Sequence, residues 1–188
     1  EHVHGAGGGY ASSLLIGIGT GVGGAVVEGD SVRFGANGAA GHLGHIPAHR
    51  AAGIPCSCGT SGHIEAIASG PSITRAYAEA TGQERDAKTV DDLAEAGEEA
   101  AVTVVTEAGL ATGETLGALA NAWDPDVIIV SGSVANSGRT WWDAVETGFK
   151  TEALKAVGGT QIKRGTLGGG APLIGAAHWA SKQLENGE

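Results

Sequence analysis

The chain has 188 residues, of which 41% are hydrophobic, and this size and composition are typical of one soluble globular domain or of a large piece of a longer protein. Its 34 glycines follow no period of three, which excludes a collagen-like protein. Its net charge of −10 argues against direct contact with nucleic acid or with an anionic membrane surface, because both partners need a basic protein surface.

Three features of the sequence predict the location of the protein, its lack of a membrane partner and the presence of further sequence upstream. No apolar run reaches membrane-spanning length and no signal peptide is visible, so we expect no membrane partner. The two cysteines, Cys56 and Cys58, are too close for a relaxed disulfide, which favours a reducing, cytoplasmic location. The chain contains no methionine and opens abruptly at Glu1, so we expect further sequence upstream.

The first third of the chain predicts strands followed by a long loop. Residues 13–18, 24–28 and 31–34 have strand character, and glycine-rich turns separate them. Residues 35–63 are rich in histidine, glycine, cysteine and proline and show no sustained period. A loop of this length needs a staple or a function to be ordered.

Helical periodicity begins near Ile64 and continues in pieces. Residues 89–92 resemble a capping box, with Asp92 in the place of the usual glutamate. Residues 98–123 predict a long helix with one apolar face, on which Gly109 and Gly113 would let another element approach closely. The residues of that face are Val102, Val105, Gly109, Thr112, Leu116, Leu119 and Trp123.

The last third alternates strands with helices. Residues 127–130 form an uninterrupted apolar strand of the kind that is covered on both faces. A helix over 141–156, a short strand over 160–164 and a closing helix over 173–184 follow. The order of elements predicts an α/β fold in which helices flank a mixed sheet.

Four side chains in and beside the long loop have the chemistry of a zinc site. Cys56 and Cys58 can approach one ion from a tight turn, and His63 and His45 supply the remaining ligands. Two thiolates and two imidazoles leave no open position, so we expect a structural site. The alternatives are His49 in the place of His45, or two buried thiols near unrelated surface histidines.

Two glycine-containing turns are candidates for phosphate binding. Gly19, Thr20 and Gly21 lie between two predicted strands, where backbone N–H groups can approach an anion closely. Gly132 follows a buried strand, where open α/β sheets place ligands. A plain glycine-rich hairpin and a plain strand-to-helix turn explain the same residues equally well.

Several segments in this order resemble the ROK family of sugar kinases and sugar-responsive repressors. The similar segments are the glycine-rich loop 18–24, residues 35–45, the cysteine segment 56–65, the strand and turn 124–134, and residues 173–177. The resemblance implies an actin-like ATPase (ribonuclease H-like) fold with a zinc-stapled loop over 42–65. It also implies that His45 binds both zinc and sugar, that Glu65 binds sugar hydroxyls, and that Gly19 to Gly21 hold ATP phosphates.

The chain departs from the family pattern at two positions. His63 stands where the family has a third cysteine, and it remains a competent zinc ligand. His42 replaces a glutamate that precedes Gly-His in the family, so hydroxyl recognition must differ. A histidine at this position is similar to bacterial N-acetylmannosamine kinases and favours an N-acetylated hexosamine; the alternative is a solvent-facing loop histidine.

The resemblance identifies residues 1–188 as the C-terminal domain of a sugar kinase whose catalytic aspartate lies upstream, so this chain holds no catalytic residue and is inactive alone. The implied reaction is ATP-dependent phosphorylation of a hexose or N-acetylhexosamine, of the glucose, N-acetylglucosamine or N-acetylmannosamine class, at the 6-hydroxyl. The implied cofactors are structural Zn²⁺, ATP and Mg²⁺, and the implied assembly is a homodimer. The alternative is the effector-binding domain of a ROK repressor.

Overall fold

The structure is a computed structural model that describes residues 1–186, and it opens with an antiparallel β-hairpin. Strand β1 (Ser12–Ile18) pairs with β2 (Val22–Glu28), from Ser12 opposite Glu28 to Ile18 opposite Val22. Strand β3 (Ser31–Val32) extends the hairpin. The three predicted strands are therefore confirmed, although β2 begins two residues earlier and β3 ends two residues earlier than expected.

A five-stranded mixed sheet in the order β3-β2-β1-β4-β5 forms the centre of the fold. Strand β4 (Val127–Ser131) runs parallel to β1, and β5 (Gln161–Arg164) runs parallel to β4. Residues 127–130 are completely buried, as their unbroken apolar run predicted. The α/β fold with a mixed sheet flanked by helices is thus confirmed.

Within residues 1–186, six α-helices complete the fold, and acidic caps fix the starts of two of them. The helices are α1 (Glu65–Ala68), α2 (Gly70–Thr81), α3 (Ala87–Glu95), α4 (Glu99–Trp123), α5 (Arg139–Glu152) and α6 (Ala171–Asn186). Glu98 caps α4 by accepting the N–H of Ala101. The capping box expected at residues 89–92 is wrong, because Asp86 caps α3 and accepts the N–H of Thr89 at 2.8 Å.

Glycines on the long helix α4 let α5 pack unusually close. A Cβ at Gly109 would lie 2.6 Å from the carbonyl oxygen of Trp141, and one at Gly113 would lie 2.0 Å from that of Val145. The expectation that these glycines admit a neighbouring element is therefore confirmed. Trp141 is completely buried at this contact, so it belongs to the core.

The two faces of the sheet have different environments. Leu14, Ile16 and Ile18 of β1 join the core that the sheet shares with helices α2 to α5. Leu15 and Gly17 lie on the opposite face, since successive residues of a strand alternate between faces. They line a cavity of about 820 Å³ beneath α6. Among residues 1–186, no helix combines the length and the apolar character that crossing a membrane requires.

Candidate metal, sugar and nucleotide site

The structure brings the four predicted metal ligands together. The nearest donor atoms of His45, Cys56, Cys58 and His63 all lie within 4.8 Å of one another. The Sγ of Cys56 is 3.7 Å from Nδ1 of His45, and the Sγ of Cys58 is 3.3 Å from Nδ1 of His63. A zinc tetrahedron with sulfur and nitrogen ligands has edges of about 3.3–3.8 Å, so the donor set suits zinc and these two sulfur–nitrogen distances fall in that range.

A compact turn presents the two thiols to the cluster. The N–H of Cys56 donates to Thr60 at 2.8 Å, and the N–H of Gly59 donates back to Cys56 at 3.1 Å. Gly59 adopts φ +91°, a conformation that favours glycine, and so allows the chain to reverse after Cys58. Single β-bridges that pair Pro55 with Ser61 and Pro47 with His63 hold the two sides of the loop together.

The Cys58 thiol is poised to ionise. Hydrogen bonds from the side chain and backbone of Thr60, with smaller contributions from Cys56 and His63, lower its pKa to about 6. The thiolate is the form that binds a metal. No sequence pattern singled out Thr60, because threonine is common in loops and its contact with Cys58 exists only in the folded chain.

The loop over residues 42–65, called the metal loop below, is also attached to the long helix α4 through Arg50. Its Nε donates to Glu114 at 2.8 Å and its Nη1 donates to Glu107 at 2.8 Å. Both carboxylates belong to α4, so the ion pairs connect the metal loop to the central helix. These partners are 64 and 57 residues away in sequence, and no local pattern identified them.

Glu65, the predicted sugar-binding carboxylate, begins α1 and is held at both oxygens. Oε1 accepts from the hydroxyl of Ser57, and Oε2 accepts from the N–H of Val22 at 2.9 Å. Burial opposes ionisation of Glu65, but these two hydrogen bonds and the nearby imidazoles of His45 and His63 hold its pKa below the ordinary value. The carboxylate is therefore charged at neutral pH and lies beside the metal cluster.

His42 lies at the outer edge of this region. Its ring is 6.4 Å from the ring of His45, and the two are nearly parallel. Its Nδ1 lies 2.9 Å from the carbonyl oxygen of Ala39, which fixes Nδ1 as the protonated nitrogen and leaves Nε2 as an acceptor. The side chain is exposed, so the structure places it beside His45 while leaving it open to solvent.

The two glycine turns meet at the carboxyl edge of the sheet. Because β1 and β4 are parallel neighbours, the turns that follow them lie side by side. A Cβ at Gly19 would lie 3.6 Å from Oγ of Ser133, and one at Gly132 would lie 2.3 Å from the carbonyl oxygen of Ile18. The structure thus brings Gly19, Thr20 and Gly21 together with Gly132.

A cleft of about 280 Å³ opens beside Ser133 and was not anticipated from the sequence. It lies between the start of α3 and the turn after β4. Its polar lining residues are Asp86, Lys88, Asp91, Ser133, Asn136 and Ser137. These residues come from two segments far apart in the chain, which explains why sequence patterns did not reveal the cleft.

Comparison with known sequences identifies relatives over nearly the whole chain. The family model described as ROK family matches residues 1–183. A glucokinase from Halalkalibacterium halodurans is 35% identical over 197 aligned residues, which cover 97% of this chain and 59% of that protein. An N-acetylmannosamine kinase from Yersinia pestis (strain Pestoides F) is 31% identical over 173 residues, covering 91% of this chain and 57% of that protein.

Comparison with solved structures agrees. A ROK hexokinase from Thermus thermophilus superposes with a TM-score of 0.92 at 34% identity, covering 99% of this chain and 62% of that one. A ROK family glucokinase from Streptomyces griseus, solved with glucose and AMPPNP, gives a TM-score of 0.80 at 30% identity, with coverage of 93% and 62%. The expected actin-like fold is therefore confirmed.

The chain spans about 60% of the length of each of these relatives. The family model matches residues 1–183, and the fold agrees with that of two solved ROK proteins. The chain belongs to the ROK family.

Proposed function

We propose that the protein containing this chain uses ATP to phosphorylate a hexose or an N-acetylhexosamine at its 6-hydroxyl group. This chain would supply the sugar site, the zinc site and part of the nucleotide site. The observation that carries the proposal is the hydrogen bond from the N–H of Val22 to Oε2 of Glu65. It joins the carboxylate suited to binding sugar hydroxyls directly to the hairpin suited to binding phosphates.

The sugar would lie against Glu65, His45 and His42. A charged carboxylate is a strong acceptor for hydroxyl groups, and each oxygen of Glu65 keeps one lone-pair direction beyond its present partner. The exposed Nε2 of His42 would accept a further hydrogen bond, which suits an N–H or O–H donor at the edge of the site. The sequence relatives named for glucose and for N-acetylmannosamine support a substrate of this class.

Zinc would be held by His45, Cys56, Cys58 and His63 in a closed site. Bound there, the ion supplies structural rigidity, since four protein ligands leave no position for a reacting water. The ligand residues and Arg50 would hold the sugar-binding side chains in fixed positions. His45 would contribute one ring nitrogen to the ion and keep the other for the ligand, and Arg50 would hold the loop against α4.

ATP would bind along the carboxyl edge of the sheet. The turns at Gly19, Thr20 and Gly21 and at Gly132 would receive its phosphates through backbone N–H groups, with Mg²⁺ bound to those phosphates. The cleft beside Ser133 would receive the adenosine. The aspartate that takes the proton of the 6-hydroxyl would lie outside residues 1–188, so the chain alone should bind ligands without turning them over.

The proposal is tested by assaying ATP consumption by the full-length protein with glucose, N-acetylglucosamine and N-acetylmannosamine in turn. We expect turnover with at least one sugar, and none with the 188-residue chain alone. Binding of a sugar by full-length protein without ATP consumption would instead favour the effector domain of a repressor. The homodimer and the cytoplasmic location stay predictions, which sedimentation and cell fractionation of the full-length protein would test.

A further inference from the structure

Ser57 lies between the two cysteines, and its side chain contacts Glu65. The hydroxyl donates to Oε1 of Glu65 at 2.5 Å, while Oε2 of the same carboxylate accepts the N–H of Val22. Ser57 is bounded on each side by a residue of the metal cluster, so the cluster constrains the backbone that carries its hydroxyl. The Glu65 carboxylate therefore accepts a hydrogen bond from the metal loop at one oxygen and from the β1–β2 glycine hairpin at the other.

The contact between this carboxylate and the hairpin is tight. A Cβ at Gly21 would lie 2.7 Å from Oε2 of Glu65, and one at Gly44 would lie 2.3 Å from the carbonyl oxygen of Val22. Gly44 precedes the metal ligand His45 in the same short helix. The hairpin at Val22 is thus enclosed by two parts of the metal loop, and the Glu65 carboxylate has little room to turn.

We propose that Ser57 is a positioning residue that locks the Glu65 carboxylate against the Val22 amide and thereby couples the metal cluster to the glycine hairpin. A carboxylate held at both oxygens keeps its remaining lone pairs in fixed directions, which recognition of hydroxyl groups requires. The coupling itself needs only the residues described above; its consequence for sugar binding rests on the proposed function.

Hydrogen exchange at the Val22 amide tests the coupling directly. The zinc-loaded protein is compared with Ser57→Ala, with Ser57→Thr, which keeps the hydroxyl, and with Ser61→Ala, which removes an exposed hydroxyl from the same loop. We expect Val22 to exchange about tenfold faster in Ser57→Ala, because a carboxylate released at Oε1 holds the Val22 amide less often; the factor is of the order of one net hydrogen bond. Ser57→Thr and Ser61→Ala should stay within about twofold of the starting protein.

Zinc content of one ion per chain in every variant shows that the loop still forms. Unchanged exchange of Val22 in Ser57→Ala would overturn the proposal, and so would equal acceleration in Ser61→Ala, which would indicate general loosening of the loop. These measurements need neither sugar nor ATP. They therefore decide the role of Ser57 even if the full-length protein fails to consume ATP and the proposed function is wrong.

Steady-state kinetics test the consequence for the sugar in an active full-length protein. Ser57→Ala should raise the KM for the sugar about tenfold with kcat within about twofold, because a disordered carboxylate weakens binding without removing a reacting group. Ser57→Thr should restore the KM. An unchanged KM in Ser57→Ala would contradict the step from carboxylate position to sugar affinity.

Discussion

The guanidinium of Arg50 donates to the carboxylate of Glu114 at 2.8 Å, across 64 residues of sequence. A second ion pair joins the same guanidinium to Glu107, about two turns earlier on the same face of α4. Arg50 is about one third exposed and Glu114 one fifth, so the pair is better shielded than an ordinary surface ion pair. The metal loop is thereby anchored to the helix that organises the core.

We expect Arg50→Ala to lower the free energy of unfolding by about 1–2 kcal/mol, between the values for exposed and buried ion pairs. The substitution leaves the carboxylates of Glu107 and Glu114 without the cation that both of them contact. Urea unfolding of the zinc-loaded protein measures the effect. Arg33→Ala is the matched control, because the Arg33 ion pair with Glu28 is more than half exposed, and it should cost less than about 0.5 kcal/mol. Equal effects of the two substitutions would contradict the anchoring role.

The close approach of α4 and α5 predicts that Gly113→Ala is destabilising. The added Cβ would lie 2.0 Å from the carbonyl oxygen of Val145 and 2.7 Å from the N atom of Phe149, so the helices must separate. We expect a loss of about 2 kcal/mol or more, from overpacking, despite the better helix propensity of alanine. Gly175→Ala in α6 is the control, since its Cβ meets nothing within 4 Å and should stabilise by up to about 1 kcal/mol. Thermal unfolding of both variants decides the matter.

The two histidines that the sequence left as alternatives can be separated by metal binding. His45 has a ring nitrogen 3.7 Å from Sγ of Cys56, whereas His49 is exposed and lies outside the cluster. We expect His45→Ala to weaken zinc binding by about two orders of magnitude, the share of one ligand in four. His49→Ala should bind zinc as tightly as the starting protein. Competition with a chromophoric chelator measures both, and the reverse order would assign the fourth ligand to His49.

Sequence patterns predicted the elements of this fold well because each pattern reflects local burial. The apolar run at residues 127–130 predicts a buried strand, and the glycines at 109 and 113 predict a close helix contact, whichever elements cover them. Residue types also predicted the metal ligands, since thiolate and imidazole are the ligands zinc prefers. What these signals share is that the chemistry resides in the residue itself.

The contacts that position the site could not be predicted in this way. Arg50, Ser57 and Thr60 are ordinary loop residues, and their roles depend on partners that only the folded chain brings near. The cap of α3 was misplaced for a similar reason. Both Asp86 and Thr89 suit an N-cap, and only the backbone direction at Asp86 shows which one accepts the hydrogen bond.

Glu95 predicts a pH dependence of stability that is unconnected with the metal. The N–H of Thr140, at the start of α5, donates to Oε1 of Glu95 at 2.8 Å. This bond and one from the Thr140 side chain hold the pKa of Glu95 below its ordinary value of 4.5. The folded state therefore binds this proton less readily than the unfolded chain does. The stabilisation is complete above pH 4.5 and is lost as the pH falls through the folded pKa.

Urea unfolding of the starting protein and of Glu95→Gln between pH 3 and pH 7 measures this contribution. We expect the starting protein to have the higher free energy of unfolding near pH 7 and the difference from Glu95→Gln to disappear toward pH 3. The reason is that glutamine resembles the protonated acid at every pH. The control is to repeat the series in 1 M salt, where a Debye length of about 3 Å screens the attraction between exposed charges. The pH dependence should persist there, since hydrogen bonds from Thr140 outweigh the attraction of Arg139. A free-energy difference that is constant with pH, or that vanishes in salt, would show that the Thr140 hydrogen bond is not its cause.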